Sequence, residues 1–192
     1  MSDVPNPPSV PRPAGYPADL ERDWHAADGT VVHIRPLRPD DLESEIRFVQ
    51  GLSEQTLYLR LQYSMREVSR ADAERLLAID YHDLMAIGAL VDGPQGEMIV
   101  GVSRYARIDD SDRAECAIVV TDAWHGRGLG TELMRSLGVA ARARGIHTLE
   151  GTSLGENQRI HAWARRFGFQ VQTEPNTGGQ VVIKLDLASL PA

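Results

Sequence analysis

Gly126-Arg127-Gly128-Leu129-Gly130, followed by Thr131, is the stretch of this sequence best suited to holding a ligand. Without Cβ atoms, glycines let backbone N–H groups approach a bound group closely. An apolar pattern with helical spacing begins at Leu129, so the loop opens a helix and shares the positive end of its dipole. Amides and dipole together favour an anion such as phosphate. Other chemistries find less support. Cys116 is the only cysteine, so no disulfide closes within the chain, and it reads as a buried structural thiol. The six histidines show no HxH or HExxH spacing, and no metal is expected. Trp124 and Trp163 read as packing residues.

The elements that must position this loop follow from periodicity. Ala114–Thr121 is an apolar strand leading into it, and Leu129–Arg144 is the helix behind it, with Leu129, Leu133, Leu137 and Ala140 on one face and Gly145 as its stop. Ile146–Glu150 is a short strand, and a strand-helix-strand of this length suggests a right-handed parallel crossover. Upstream, Thr30–Pro36 is a strand, and three helices are expected over Asp41–Gly51, from Ser53 through Leu57–Met65, and over Ser69–Ala78. Leu84–Val91 and Met98–Ile108 form a hairpin, so the middle of the sheet is an antiparallel meander. Downstream, Asn157–Arg166 is a helix, and Phe169–Thr173 and Gln180–Leu187 are strands. No repeat and no second domain are seen.

The composition sets bounds. The 192 residues are 42% hydrophobic and 24% charged, ordinary for one soluble globular domain. A net charge of −7 argues against a nucleic-acid partner. No apolar run approaches a membrane span. Residues 1–17 are Pro-rich and lack the basic start and apolar core of a signal peptide. Residues 18–29 are polar and end in the turn signal Asp28-Gly29. A disordered tail over 1–25, a folded domain over 26–192 and a cytoplasmic location are therefore expected.

Three phosphate-binding loops compete. A P-loop requires GxxxxGK[ST], and no lysine lies in this loop. A dinucleotide fold requires GxGxxG after the first strand. Here the loop comes late and reads GxGxG, although Glu150 lies about where a ribose-binding acid would. The third candidate is the GNAT acetyltransferase signature [QR]-x-x-G-x-[GA], matched by His125-Gly126-Arg127-Gly128-Leu129-Gly130 with His125 as the departure. The flanking VVTDAW and TELM, the element order and the later Asn157…Phe167-Gly168-Phe169 also resemble that family, over about residues 30–187. The segment DGTVVHIRPLRPDDLE…LSEQTLYLRLQY is similar to the acetyltransferase domain of bacterial protein lysine acetyltransferases of the Pat type.

This resemblance implies an α/β fold, with a mixed, mostly antiparallel sheet of six to seven strands flanked by helices on both faces. It implies acetyl-CoA as the donor and an amine acceptor, a protein lysine. The amides of Gly126, Arg127, Gly128, Leu129, Gly130 and Thr131 would cradle the pyrophosphate, with Arg127 able to add charge. Ile118, Val119 and Val120 would pair with the pantetheine arm, one backbone N–H there would stabilise an oxyanion, and Asn157 would contact pantetheine or simply cap its helix. Lysine arrives protonated, with a pKa near ~10.4, and needs a base. Glu115 is the candidate, an acidic residue in an otherwise apolar strand where partial desolvation would strengthen it as a base. Its alternative is a solvent-facing glutamate paired with Arg104 or Arg113. The tyrosine that often serves as general acid in the family falls on Ala164, and nothing selects among Tyr58, Tyr63, Tyr81 and Tyr105. A small-molecule amine acetyltransferase and a CoA-binding module without catalysis remain alternatives, as does monomer against homodimer.

Overall fold

The computed structural model describes residues 12–61, 69–94, 96–173 and 179–190. Along the chain run β1 (Arg22–His25), β2 (Val31–Pro36), α1 (Leu42–Gln50), α2 (Glu54–Leu61), α3 (Arg70–Leu76), β3 (Leu84–Gly93), β4 (Gly96–Arg107), β5 (Arg113–Val120), α4 (Leu129–Arg142), β6 (Thr148–Leu154), α5 (Gln158–Phe167), β7 (Gln170–Thr173) and β8 (Gln180–Asp186). The strands form one sheet in the order β1-β2-β3-β4-β5-β6-β8-β7. All neighbours are antiparallel except β5 and β6.

The sheet has eight strands, against the six to seven expected. The extra one is β1, which lies in the stretch assigned to the tail. Its sequence, RDWH, lacks the apolar alternation that marks a strand. Contacts made far along the chain hold it instead: Arg22 bonds to Glu132 and Ser136 on α4, and Asp23 meets His33 at 2.6 Å. Gln62–Met65, expected to continue α2, lie outside the described residues. β6 begins two residues later than expected and runs on to Leu154.

Helices cover both faces. Leu129, Leu133, Met134 and Leu137 of α4 pack on Ile87, Val100 and Tyr105. On the opposite face, Phe48 and Val49 of α1 meet Ala86, Leu90 and Val102, with Leu77 closing the cluster. β3 is buried on both sides, which is why LMAIGALV reads as a continuous apolar run.

The feature that makes a site is the junction of β5 and β6. These strands pair only over Arg113–Glu115 and Thr148–Glu150. Beyond that point β5 stays with β4 as far as Val120, and β6 stays with β8 as far as Leu154. The sheet therefore opens as a wedge between Cys116–Val120 and Gly151–Leu154. Gly151 stands at its apex, where an added Cβ would lie 2.8 Å from the Cys116 carbonyl oxygen.

Candidate active site

A cavity of about 1350 Å³ fills the wedge. Its walls are Cys116–Val120 on β5, Thr152 and Ser153 on β6, and Asn157, Ile160 and Trp163 at and along α5. Its floor is the glycine loop, and Gln55, Thr56 and Leu59 of α2 stand at the rim.

The loop takes its shape from two glycines in the left-handed region, Gly126 (φ 76°) and Gly128 (φ 89°), the latter being the N-cap of α4. Thr131 and Glu132 both donate their amides to the Gly128 carbonyl. No group among the described residues accepts from the amides of Gly126 to Gly130. His125, the departure from the family signature, places Nε2 2.8 Å from the Val120 carbonyl oxygen and ties the loop to β5. That contact also reports orientation. The Val120 and Cys116 carbonyls both face the wedge, so by the period of two Ile118 turns its main chain there as well. Val119, between them, directs its main chain to β4.

Every residue expected to bind the donor lines the cavity except Arg127. The Arg127 guanidinium is turned outward, 2.7 Å from Asp28 and 5.0 Å from the Trp124 ring, so its expected charge is directed away from the loop. Arg159 and Arg166 of α5, which sequence reasoning passed over, line the cavity instead. Their charges on a helix flank carry no motif, and only the docking of α5 beside the wedge reveals them. Asn157 caps α5 by accepting from the Ile160 amide at 3.2 Å. Trp163 donates from Nε1 to Thr131 Oγ1 at 3.1 Å, joining α5 to α4, and stacks on Phe167.

Glu115 sits at the last β5–β6 pair, opposite Glu150. It is exposed, not partly desolvated as expected: α1 and the end of α3 cover its face of the sheet over β3 and β4, and the space beside Glu115 is an open cavity. Neither arginine considered for it is engaged with it. Arg104 binds Glu45 of α1, and Arg113 lies 3.5 Å from Glu150. Burial pushes the Glu45 carboxyl up, an effect partly offset by Arg104. Glu115 also borders a second cavity, of about 270 Å³, formed by Leu76 and Ile79 near the end of α3 with Leu84, Arg104 and Ala106. Cys116 points to the other face, into the core beneath α4.

Among the described residues no tyrosine lines the main cavity. Tyr81 and Tyr105 are buried and donate to the carbonyls of Leu37 and His82, and burial pushes the Tyr105 phenol up to about 12. The Glu156 carboxylate beside Tyr58 pushes that phenol up too. Tyr63 lies outside the described residues. Ala164 is fully buried and offers only a methyl group. Among the described residues no cluster of histidine, cysteine and carboxylates could hold a metal, and no helix is long and apolar enough to cross a membrane.

A strand-loop-helix anion cradle beside a wedge in a mixed sheet defines a coenzyme-binding acyltransferase. The acetyltransferase (GNAT) domain family matches residues 32–170. An acetyltransferase of Pseudomonas aeruginosa is 37% identical over 162 residues, covering 83% of this chain and 86% of that one. Acetyltransferase Pat of Mycolicibacterium smegmatis is 31% identical over 140 residues, 73% of this chain and 41% of that one. The GNAT domain of S. lividans PAT superposes with a TM-score of 0.82 at 27% identity, covering 89% of this chain and 99% of that one. The chain belongs to the GNAT acetyltransferase family, whose members transfer acetyl from acetyl-CoA to an amine.

Proposed function

We propose that this chain acetylates a protein lysine side chain by direct attack of the amine on acetyl-CoA, with Glu115 as general base. The observation that carries the reading is the place of Glu115 between two cavities. The larger suits the donor: the amides of Gly126 to Gly130 would hold the pyrophosphate, with the Thr131 amide already donating to the Gly128 carbonyl, the main chain at Ile118 and Val120 would align the pantetheine arm, and Asn157 would reach it beyond its capping role. Val119 would contribute its side chain only. A β5 amide would stabilise the oxyanion. The smaller cavity, of about 270 Å³, has room for an extended alkyl amine such as a lysine side chain. The two substrates would meet at Glu115, whose carboxylate would take the proton that leaves the attacking nitrogen. The resemblance to Pat-type enzymes points to the same acceptor class, and a cytoplasmic location would suit it.

The test is acetylation of a protein extract against a panel of polyamines, aminoglycosides and amino acids. Protein lysines should be modified preferentially, and robust turnover of small amines alone would overturn the acceptor assignment. Glu115→Gln should lower kcat ~100-fold or more while CoA affinity holds. Unchanged acetylation at every pH would remove Glu115 from the mechanism.

A further inference from the structure

Acyl transfer from a thioester expels a thiolate, which a nearby hydrogen-bond donor can stabilise. Ser153 is the one hydroxyl on the β6 wall turned toward α5. It lines the main cavity while only 5% of its surface is exposed. Counting from the last parallel pair, Glu115 with Glu150, Ser153 lies three residues into the wedge, level with Ile118 on the facing strand. Its Oγ stands 2.8 Å from His161 Nε2. His161 is 2% exposed, on the face of α5 that also carries Asn157 and Ala164. Burial, with Arg165 adding repulsion, lowers the imidazole's pKa and favours its neutral form. The other charged groups bordering the cavity are Glu115, Asp122 and His125 on the β5 side and Glu156, Arg159 and Arg166 on the α5 side, and none of them bonds to Ser153.

We propose that Ser153 is a catalytic residue of acetyl transfer, donating its hydroxyl to the departing sulphur, and that His161 is the positioning residue that aims it. In the proposed arrangement the imidazole carries its proton on Nε2 and donates it to Ser153 Oγ, which leaves the hydroxyl hydrogen to point into the wedge. The acceptor nitrogen forms its bond to the thioester carbonyl carbon, and the carbon–sulphur bond breaks. The sulphur leaves with the electron pair as CoA thiolate, bound by the Ser153 hydroxyl, which keeps its proton. One proton of the ammonium passes to Glu115 before attack, the second leaves the nitrogen to solvent as the amide forms, and the thiolate is protonated later by solvent. The inference rests on acetyl-CoA occupying the wedge as proposed above.

The test uses the full chain with CoA itself as the probe, following the ultraviolet absorbance of the thiolate against pH. Bound to the wild type, the CoA thiol should ionise below its solution range, with an ionisation constant raised ~10- to 100-fold, the span expected for a hydrogen bond to an ionised acceptor. Ser153→Ala should abolish that shift and slow acetyl transfer by a similar factor. Ser153→Thr, which keeps the hydroxyl, should restore both. His161→Gln, which keeps a donor, should retain more of the shift than His161→Leu. Identical ionisation in the wild type and Ser153→Ala, with CoA bound to both, overturns the inference alone. A wild type that binds no CoA overturns the wedge assignment and this inference together.

Discussion

Replacing Gly151 with alanine tests whether the wedge apex must be glycine. The new Cβ would stand 2.8 Å from the Cys116 carbonyl oxygen, with Ile183 Cγ1 at 3.6 Å and Cys116 Sγ at 3.8 Å. The nearest atom is main chain on the facing strand, so no rotamer relieves the contact. Ordinary contact begins near ~3.4 Å, and the strands must part by roughly 0.6 Å. Overpacking of this kind costs about 1–3 kcal/mol. For a domain of this size that lowers Tm by roughly 2–12 °C. The displacement falls one residue from Glu115 and Glu150, the last pair before the strands diverge. A shift of that size at a reacting group costs about tenfold in kcat/KM. The glycine loop lies at the other end of β5, so CoA affinity should hold. Thermal unfolding, calorimetric CoA titration and steady-state kinetics on the same variant separate these effects. An unchanged Tm with wild-type kcat/KM would refute the claim that the apex is set by close strand approach.

Two further perturbations follow from the site. Trp163→Phe removes the bond to Thr131 while keeping the ring stack on Phe167, and should lower stability by about 1 kcal/mol in urea unfolding; an unmoved midpoint would show that α5 is not tied to α4 through this contact. His161 makes stability depend on pH. Burial, assisted by Arg165, holds its folded pKa below the model-peptide value. The unfolded chain therefore takes up a proton near pH ~6.5 that the folded chain refuses until lower pH. The stabilising contribution is complete above that value and is lost as pH falls toward the folded pKa, with a slope of at most ~1.4 kcal/mol per pH unit. Urea unfolding between pH 5 and pH 8 should show this slope in the wild type relative to His161→Gln, and parallel curves would count against it.

Local signals were legible in the sequence. The glycine spacing, the amphipathic run of α4, the Asn157 cap and the meander of β3 to β5 are each written within short windows of residues. What could not be read depends on partners distant in the chain. β1 is a strand because α4 and β2 hold it, and its own residues do not alternate. The exposure of Glu115 follows from how far across the sheet α1 and α3 reach, which is set by their packing on β3 and β4. Arg127 looked like a phosphate ligand until Asp28, 99 residues away, claimed it. Ser153 and His161 are unremarkable types at unremarkable positions, and they become a pair only when α5 lies on β6. The wedge itself has almost no local signature, because it is the place where a parallel ladder stops.

The position of β8 has a consequence for synthesis on the ribosome. β6 shares three residue pairs with β5 but seven with β8, the final strand in the chain. The glycine loop and β5 emerge before β6 and can fold together with the meander, but the opposing wall has no stable neighbour until residues 180–186 are released. Between the synthesis of the loop and the release of β8 the nascent chain therefore carries half a coenzyme cradle. Acetyl transfer begins only after the C-terminal strand has threaded between β6 and β7, a late, non-local step of the kind that slows folding.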